Sequence, residues 1–279
     1  MNRPAQNAET QQVLLAFAKN ECLQHLLTHP QIGPWADRIA FVLVGSVATG
    51  LCRAGSDVDV ALLCDADVYN QRSPGTLWAR GRPTEAMVDG TQLHYYGITL
   101  AEVATKIAEH DDVCLYVYGH TVVLKDSQAG HAKRLARLMG DAQDLRQQRA
   151  ERKLDMLMRR SRALRAVLAD GDPITVAEVF LEVIRLLVKV VALLDGVPFD
   201  PRKRLFGTAL AGPLGTRLCP QVTALLGQLS LLGRPDDLPH SGTQLIEDID
   251  AVAGTLADIA ASQGFRVGLD RPDRRHAER

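Results

Sequence analysis

The chain has 279 residues, of which 46% are hydrophobic and 23% charged, and this is typical of a globular protein with two domains. Its 32 Lys and Arg residues balance 33 Asp and Glu residues, which excludes a general positive field for nucleic-acid binding. The five cysteines contain no CxxC pair and argue against a disulfide framework or a zinc site. We expect them to be small buried residues.

The most apolar segment, 179–194, is interrupted by Glu182, Arg185 and Lys189. Charged side chains at bilayer depth are costly, so we expect no membrane-spanning helix. Residues 1–12 contain no apolar signal core, and the expected compartment is therefore the cytoplasm.

The first half begins with apolar residues at three- and four-residue steps over 9–28, which predict an amphipathic helix. The continuous apolar run 40–44 predicts a strand buried on both faces. Alternation over 56–63 predicts a second strand whose two acids, Asp57 and Asp59, point the same way.

Further along, Asp89-Gly90 predicts the turn of a hairpin between strands 84–88 and 92–99. We expect a helix over 100–110, capped by the threonine before it, and a last strand pair over 113–124. The first domain is predicted to end there, so its expected range is 1–126.

After residue 126, glycine and proline mark joints between segments of helical period, which predicts an all-α bundle over 127–265. The charged, aperiodic end of the chain, 266–279, is predicted to be a disordered tail. The expected helices cover 143–168, 174–194, 220–232 and 245–261.

The chemistry is expected between the first two strands, where Gly45-Ser46 forms a turn and Asp57-x-Asp59 opens the second strand. A glycine lets the backbone approach a phosphate, and the following helical turn offers N–H groups to an anion. Two carboxylates on one strand face can share Mg²⁺, which binds through one or two carboxylates plus substrate phosphates. Two such ions can clamp an in-line phosphoryl displacement.

This pattern resembles the nucleotidyltransferase superfamily of DNA polymerase beta, whose mark is a Gly-Ser pair followed by Asp-x-Asp on a neighbouring strand. The matching residues are Gly45, Ser46, Asp57 and Asp59. The two-part layout is similar to that of the aminoglycoside and other small-substrate nucleotidyltransferases. The resemblance implies an α/β (α+β) catalytic domain with a mixed sheet, followed by the helical bundle.

The same resemblance implies a Mg²⁺-dependent transfer of a nucleoside monophosphate, with AMP from ATP as the expected donor, to a hydroxyl of a small acceptor such as an antibiotic. Two alternatives stay open. One is transfer to a protein or an RNA end, as in toxin-like relatives, and the other is a nucleotide-binding module that has lost catalysis.

Many members of the superfamily carry a third carboxylate on a later strand, where this sequence has Gln92 and His94. Three explanations remain open: Glu85 fills the role, an acid of the helical half such as Glu182 or Glu178 does so, or the site is impaired. Glu182 lies on the most apolar helix, where a lone acid is costly unless paired or functional. This favours Glu182 as the general base.

Two cations are candidate phosphate contacts: Arg53, in the loop between the Gly-Ser turn and the acids, and Lys203, in a basic loop of the helical half. A solvated role is equally compatible with Arg53. The arginines of 143–168 fall all around the predicted helix with acids among them, which favours a solvated or partner-facing helix over a nucleic-acid surface.

Overall fold

The computed structural model describes residues 3–70, 83–143, 145–228 and 238–267. The chain divides into two compact units, Met1–Gln143 and Asp144–Arg279.

The first unit is built on a five-stranded sheet with the strand order β3-β4-β2-β1-β5. β2 and β4 are parallel, whereas β1 pairs antiparallel with both β2 and β5, and β3 pairs antiparallel with β4. The sheet is therefore mixed, as predicted. Its strands are β1 (Ala40–Val44), β2 (Val58–Cys64), β3 (Thr84–Val88), β4 (Thr91–Thr99) and β5 (Val122–Lys125).

Helices accompany this sheet along the whole unit. α1 and α2 are joined by a π-helical turn, Ala18–Cys22, which confirms the helix predicted over 9–28. The helices are α1 (Arg3–Phe17), α2 (Leu23–Thr28), α3 (Gly45–Ala48), α4 (Ala66–Asn70), α5 (Leu100–Ala108), α6 (Asp112–Gly119) and α7 (His131–Gln143).

The core of the first unit lies between one face of the sheet and the first two helices. Leu14, Ala18, Cys22 and Leu26 recur at four-residue steps and are buried against the sheet. Every second residue of the central strands joins them, including Val58, which is fully buried.

The predicted hairpin and the helix after it are confirmed. Asp89 and Gly90 have φ of 43° and 80°, the positive values that a tight hairpin turn of this kind requires. α5 starts with a capping box, in which the Thr99 side chain accepts from Glu102 N and the Glu102 side chain accepts from Thr99 N.

The strand pair predicted over 113–124 is wrong in its first half, which forms α6. Asp111 caps this helix, because its Oδ1 accepts from Val113 N at 2.8 Å and from Cys114 N at 2.9 Å. Only β5 is a strand. The apolar run after Asp111 has strand propensity, but the cap satisfies the first N–H groups of a helix.

α7 belongs with the sheet of the first unit, where it packs against β1 and β2 and against α5 and α6. Ala132 and Leu135 are buried there. The first unit thus continues through α7 to Gln143, past the boundary that the sequence predicts at residue 126.

The second unit is helical, as predicted, and α9 forms its centre. From Val176 to Leu194, α9 contributes more of the buried core residues described for this unit than any other helix, and α8, α11 and α12 pack against it. The helices are α8 (Arg146–Asp170), α9 (Pro173–Asp195), α10 (Leu205–Ala209), α11 (Pro213–Gly227) and α12 (Leu238–Ser262).

α11 begins earlier than the predicted 220–232. Asp195 accepts from Leu214 N at 3.0 Å and from Gly215 N at 2.9 Å, and Pro213 occupies the first turn, where its missing N–H costs nothing. Pro220 lies inside the helix. The residues predicted as helix beyond Gln228 lie outside the described part of the chain.

The tail predicted over 266–279 is ordered at its start. Arg266 N donates to Glu151 Oε1 at 2.7 Å, and Val267 packs against the core of the second unit. The remainder of that prediction concerns residues outside the described ranges.

The cysteines follow the prediction with one exception. Cys22, Cys52, Cys64 and Cys114 are buried, whereas Cys219 is exposed. Among the described helices, none is both long and apolar enough to cross a bilayer.

Candidate active site

The two acids of the site are held by β2. Asp57 immediately precedes the strand, and Asp59 lies within it, paired with Val44 of β1 on one side and His94 of β4 on the other. Because Val58 and Val60 turn into the core, Asp57 and Asp59 project together from the opposite face. Their side chains are 38% and 29% exposed, so solvent and a ligand can reach them.

Gly45 brings the backbone directly against one of these acids. Its φ is +72°, and a Cβ added there would clash with Asp59 Oδ2. Thr49 Oγ1 donates to Gly45 O at 3.1 Å and braces the turn. Glycine is therefore required at this position both for its backbone conformation and for the space that the carboxylate fills.

Ser46 follows with its side chain turned inward. Its Oγ is buried and makes no hydrogen bond among the described residues. An unsatisfied buried hydroxyl is costly, and its presence beside Gly45 marks a position where a ligand atom would be favourable.

His94 stands where the third carboxylate was expected. Its Nδ1 lies 3.1 Å from Asp57 Oδ2 and 3.4 Å from Asp59 Oδ1, and its side chain is only 17% exposed. Gln92, the other candidate, is exposed and donates to Glu85 Oε2 at 3.3 Å. His94, and not Gln92, therefore lies beside the two aspartates.

Glu85 lies on the other side of the imidazole. It faces His94 across the β3–β4 pair, and its Oε1 is 3.8 Å from His94 Nε2, a buried nitrogen without a hydrogen bond in the described residues. The Glu85 side chain is 66% exposed. The two ring nitrogens of His94 therefore face different carboxylates.

A divalent metal fits this arrangement. One donor atom from each of Asp57, Asp59 and His94 can be chosen so that all lie within 4.8 Å of one another. Carboxylate oxygens are the donors that hard divalent cations prefer, and a neutral imidazole can complete such a set. The Asp59 carboxylate occupies the space that a Cβ at residue 45 would need, so only glycine fits beside this ligand.

Arg53 lies in the loop that connects the Gly-Ser turn to the acids. Its side chain is exposed, and its backbone N donates to Ser56 Oγ at 2.8 Å, which closes the loop before Asp57. The exposure is compatible with a phosphate contact and equally with a solvated arginine.

The premise that favoured Glu182 is wrong, because this acid is neither buried nor alone. Its side chain is 45% exposed, and its Oε2 lies 3.1 Å from Arg160 Nε. Lys203 is exposed, and its backbone N donates to Asp200 Oδ1 at 3.3 Å. Both residues belong to the second unit, and their predicted roles stay predictions.

The place of His94 depends on a pairing that local sequence does not reveal. The hairpin at Asp89-Gly90 sets Glu85 opposite His94, but only the parallel pairing of β2 with β4 sets Asp59 beside it. The alternation of His94 with the buried Leu93 and Tyr95 is the one sequence signal that could have separated it from the core.

Comparisons with known proteins agree with this geometry. Residues 31–146 match the family model described as "Nucleotidyltransferase domain". A solved structure, that of a nucleotidyltransferase-like protein from Exiguobacterium sibiricum 255-15, is similar in fold, with a TM-score of 0.52 and 11% sequence identity over 86% of this chain and 77% of that chain. A search of curated protein sequences found no match. Residues 31–146 of this chain therefore form a nucleotidyltransferase domain of the DNA polymerase beta-like superfamily.

Proposed function

We propose that this protein moves AMP from Mg-ATP to a hydroxyl of a small-molecule acceptor, in the cytoplasm. The observation that carries the proposal is the pair Asp57 and Asp59 set against the Gly45-Ser46 turn. The acceptor oxygen forms a bond to the α-phosphorus while the bond between that phosphorus and the bridging oxygen to the β-phosphate breaks. Pyrophosphate leaves, and the acceptor proton passes to a base.

Asp57 and Asp59 hold the divalent ions. When bound, Mg²⁺ supplies Lewis-acid stabilisation of the charge that develops on the phosphoryl oxygens. The Gly45-Ser46 turn is the proposed contact for the terminal phosphates, through its backbone N–H groups and, after rotation of its buried side chain, through the hydroxyl of Ser46. Arg53 and Lys203 are the proposed additional phosphate contacts.

Two acids are candidates for the base. Glu182 carries a carboxylate that stays half exposed beside its partner Arg160, and Glu85 is a second, more exposed candidate. General-base help is worth about 10² to 10⁴ in rate, so its loss slows transfer without abolishing nucleotide binding.

A small acceptor is favoured over an RNA end by the state of the arginine-rich helix α8. Arg159, Arg160 and Arg165 are each paired with an acid, namely Asp155, Glu182 and Asp250. Paired guanidinium groups contribute less to binding a phosphate backbone than free ones.

The test is transfer from α-labelled nucleoside triphosphates to a panel of acceptors: aminoglycosides and other polyols, RNA oligonucleotides, and proteins. We expect label on a small hydroxyl compound and release of pyrophosphate by the wild type, and neither product with Asp57→Asn or Asp59→Asn. Asp89→Asn is the control, because Asn-Gly suits the same turn. Label on RNA or protein alone would overturn the acceptor, and no transfer despite metal-dependent nucleotide binding would support the module without catalysis.

A further inference from the structure

We propose that His94 is a nitrogen ligand that makes one metal position of this site favour a first-row divalent transition ion, such as Mn²⁺, over Mg²⁺. The proposal rests on the proposed function, because it concerns the protein-bound ion at the same aspartates. The Mg²⁺ that arrives with ATP is a separate ion.

The donor atoms already have the spacing of neighbouring ligands. An ion with bonds of about 2.1 Å in octahedral geometry places adjacent ligand atoms about 3 Å apart. His94 Nδ1 lies 3.1 Å from Asp57 Oδ2 and 3.4 Å from Asp59 Oδ1. His94 Nδ1 therefore lies close to the spacing of adjacent ligands from one oxygen of each aspartate, and one donor atom of each of the three residues lies within 4.8 Å of the others.

The chemistry of this donor set differs from that of three carboxylates. Mg²⁺ prefers oxygen ligands and gives up its water reluctantly, whereas imidazole nitrogen suits first-row transition ions. Replacing an anionic carboxylate with a neutral imidazole also removes one negative charge from the site. The lost charge weakens the binding of every divalent ion, and the nitrogen donor compensates for this loss in a transition ion more than in Mg²⁺.

The surroundings of the ring favour this role. Metal-bound histidines generally donate their second N–H to a carboxylate or carbonyl, which fixes the ring and its tautomer. His94 Nε2 is buried without a hydrogen bond among the described residues, and Glu85 Oε1 is 3.8 Å away on an exposed, adjustable side chain. Glu85 is then a positioning residue that acts through His94.

A different arrangement would give similar distances without a metal. A His94 Nδ1–H that donates to the aspartates would partly balance their charge and occupy the position of the ion. This arrangement predicts that removing the imidazole improves binding of every divalent ion, including Mn²⁺, whereas a ligating imidazole predicts loss of Mn²⁺ affinity.

The experiment uses the full chain and the metals alone, without nucleotide. Calorimetric titrations with MnCl₂ and MgCl₂ give the ratio of the two dissociation constants for the wild type and for His94→Asp, which restores an all-oxygen set. We expect Mn²⁺ to bind more tightly than Mg²⁺ to the wild type, and His94→Asp to reduce this preference by about tenfold or more. His25→Asp, a histidine of α2, is the matched control and should leave the ratio unchanged.

Pulsed electron paramagnetic resonance of the Mn²⁺-loaded protein gives a direct second readout. We expect the coupling of a directly bound imidazole nitrogen in the wild type and its absence in His94→Asp. Glu85→Ala should keep this coupling while lowering Mn²⁺ affinity about tenfold, and Glu85→Gln, which keeps an acceptor oxygen, should restore most of the affinity.

An unchanged affinity ratio in His94→Asp, absence of nitrogen coupling, or stronger Mn²⁺ binding to His94→Ala would overturn the proposal. None of these results touches the proposed function, which fails separately if triphosphates do not bind in the presence of any divalent ion.

Discussion

The backbone of Gly45 lies so close to the Asp59 carboxylate that a larger residue at position 45 would displace this carboxylate. The positive φ of Gly45 and the clash that a Cβ would make with Asp59 Oδ2 act together. Gly55, in the same loop region, has a φ of +80°, but a Cβ added there would meet no atom within 4 Å. Comparing an alanine substitution at each glycine therefore separates the effect of backbone strain from the effect of displacing the Asp59 carboxylate.

Gly45→Ala is expected to weaken metal-dependent triphosphate binding by at least about tenfold, while Gly55→Ala leaves it within about twofold. Both substitutions should cost about 1 to 3 kcal/mol of stability from the strained φ. Calorimetry with ATP and thermal unfolding of both variants measure the two effects. Equal loss of ATP binding in the two variants would contradict the role given to the Gly45–Asp59 contact.

Glu182→Gln tests the predicted base. Its pair with Arg160 is half exposed, so we expect a stability change below about 1 kcal/mol. If Glu182 takes the acceptor proton, transfer slows about 10² to 10⁴-fold while ATP binding is kept. Arg160→Gln breaks the same pair but keeps the carboxylate, and it should retain most activity. Transfer at the wild-type rate in Glu182→Gln would move the role to another acid.

At the level of elements, β2 and α7 are connected by a chain of three polar side chains, of which Ser127 and His131 are buried and Asp65 is half-exposed. Ser127 Oγ lies 2.5 Å from His131 Nδ1, and His131 Nε2 lies 2.9 Å from Asp65 Oδ1 just after β2. His131 is 1% exposed, and Ser127 is also buried. The group has the residue types of a hydrolytic triad, but its serine and histidine are buried, so we interpret it as a structural link at the start of α7.

His131→Ala should therefore destabilise the first unit by about 2 to 4 kcal/mol, because it removes the packing of the buried imidazole and its hydrogen bonds to Ser127 Oγ and Asp65 Oδ1, while the bond from the backbone N of residue 131 to Ser127 Oγ remains. Denaturant unfolding followed by circular dichroism measures the loss. His25→Ala, on α2, is the control and should cost less than about 1 kcal/mol. A cost for His131→Ala no larger than that of the control would show that the link contributes little.

The elements that sequence predicts correctly are those whose signals are local. The run 40–44, the Asp89-Gly90 turn and the cap at Thr99 each fix their own backbone, and all three are found. The motif residues Gly45 and Asp59 could be placed beside each other because a short connection joins β1 to β2.

The features that sequence misses are those in which a helix cap outweighs strand propensity, or in which the contact joins residues far apart in the chain. Apolar β-branched residues after Asp111 suggest a strand, but the cap converts the segment into α6. Glu182 is paired with Arg160 of another helix, and the position of His94 depends on the parallel pairing of β4 with β2. Neither partner is close in sequence.

Across the whole molecule, the cysteines distinguish the two units. The buried thiols Cys22, Cys52, Cys64 and Cys114 belong to the first unit, and the exposed Cys219 belongs to the second. Burial raises the pKa of Cys22 to about 11 and that of Cys114 to about 11, with nearby acids adding to the effect. These thiols are protonated at neutral pH and should be unreactive in the folded state.

Brief alkylation of the native protein should therefore label Cys219 well before the other four, as peptide mass spectrometry can show. Stability should also fall as the pH rises from about 9 to about 11, because the unfolded chain releases the protons of Cys22 and Cys114 while the folded state retains them. Serine at both positions should flatten this dependence. Early labelling of Cys22 or Cys114 would contradict their burial.

The proposed activity depends on Asp57 and Asp59, set against Gly45, forming a metal-dependent triphosphate site. Calorimetric titration of ATP into the wild type and into Asp57→Ala/Asp59→Ala, with Mg²⁺ or Mn²⁺ and with chelator, tests this without knowledge of the acceptor. We expect the wild type to bind ATP only with a divalent ion and the double variant, with an unchanged circular dichroism spectrum, not to bind it. Equal binding by both proteins, or no binding by the wild type with either ion, would contradict the assignment of this site.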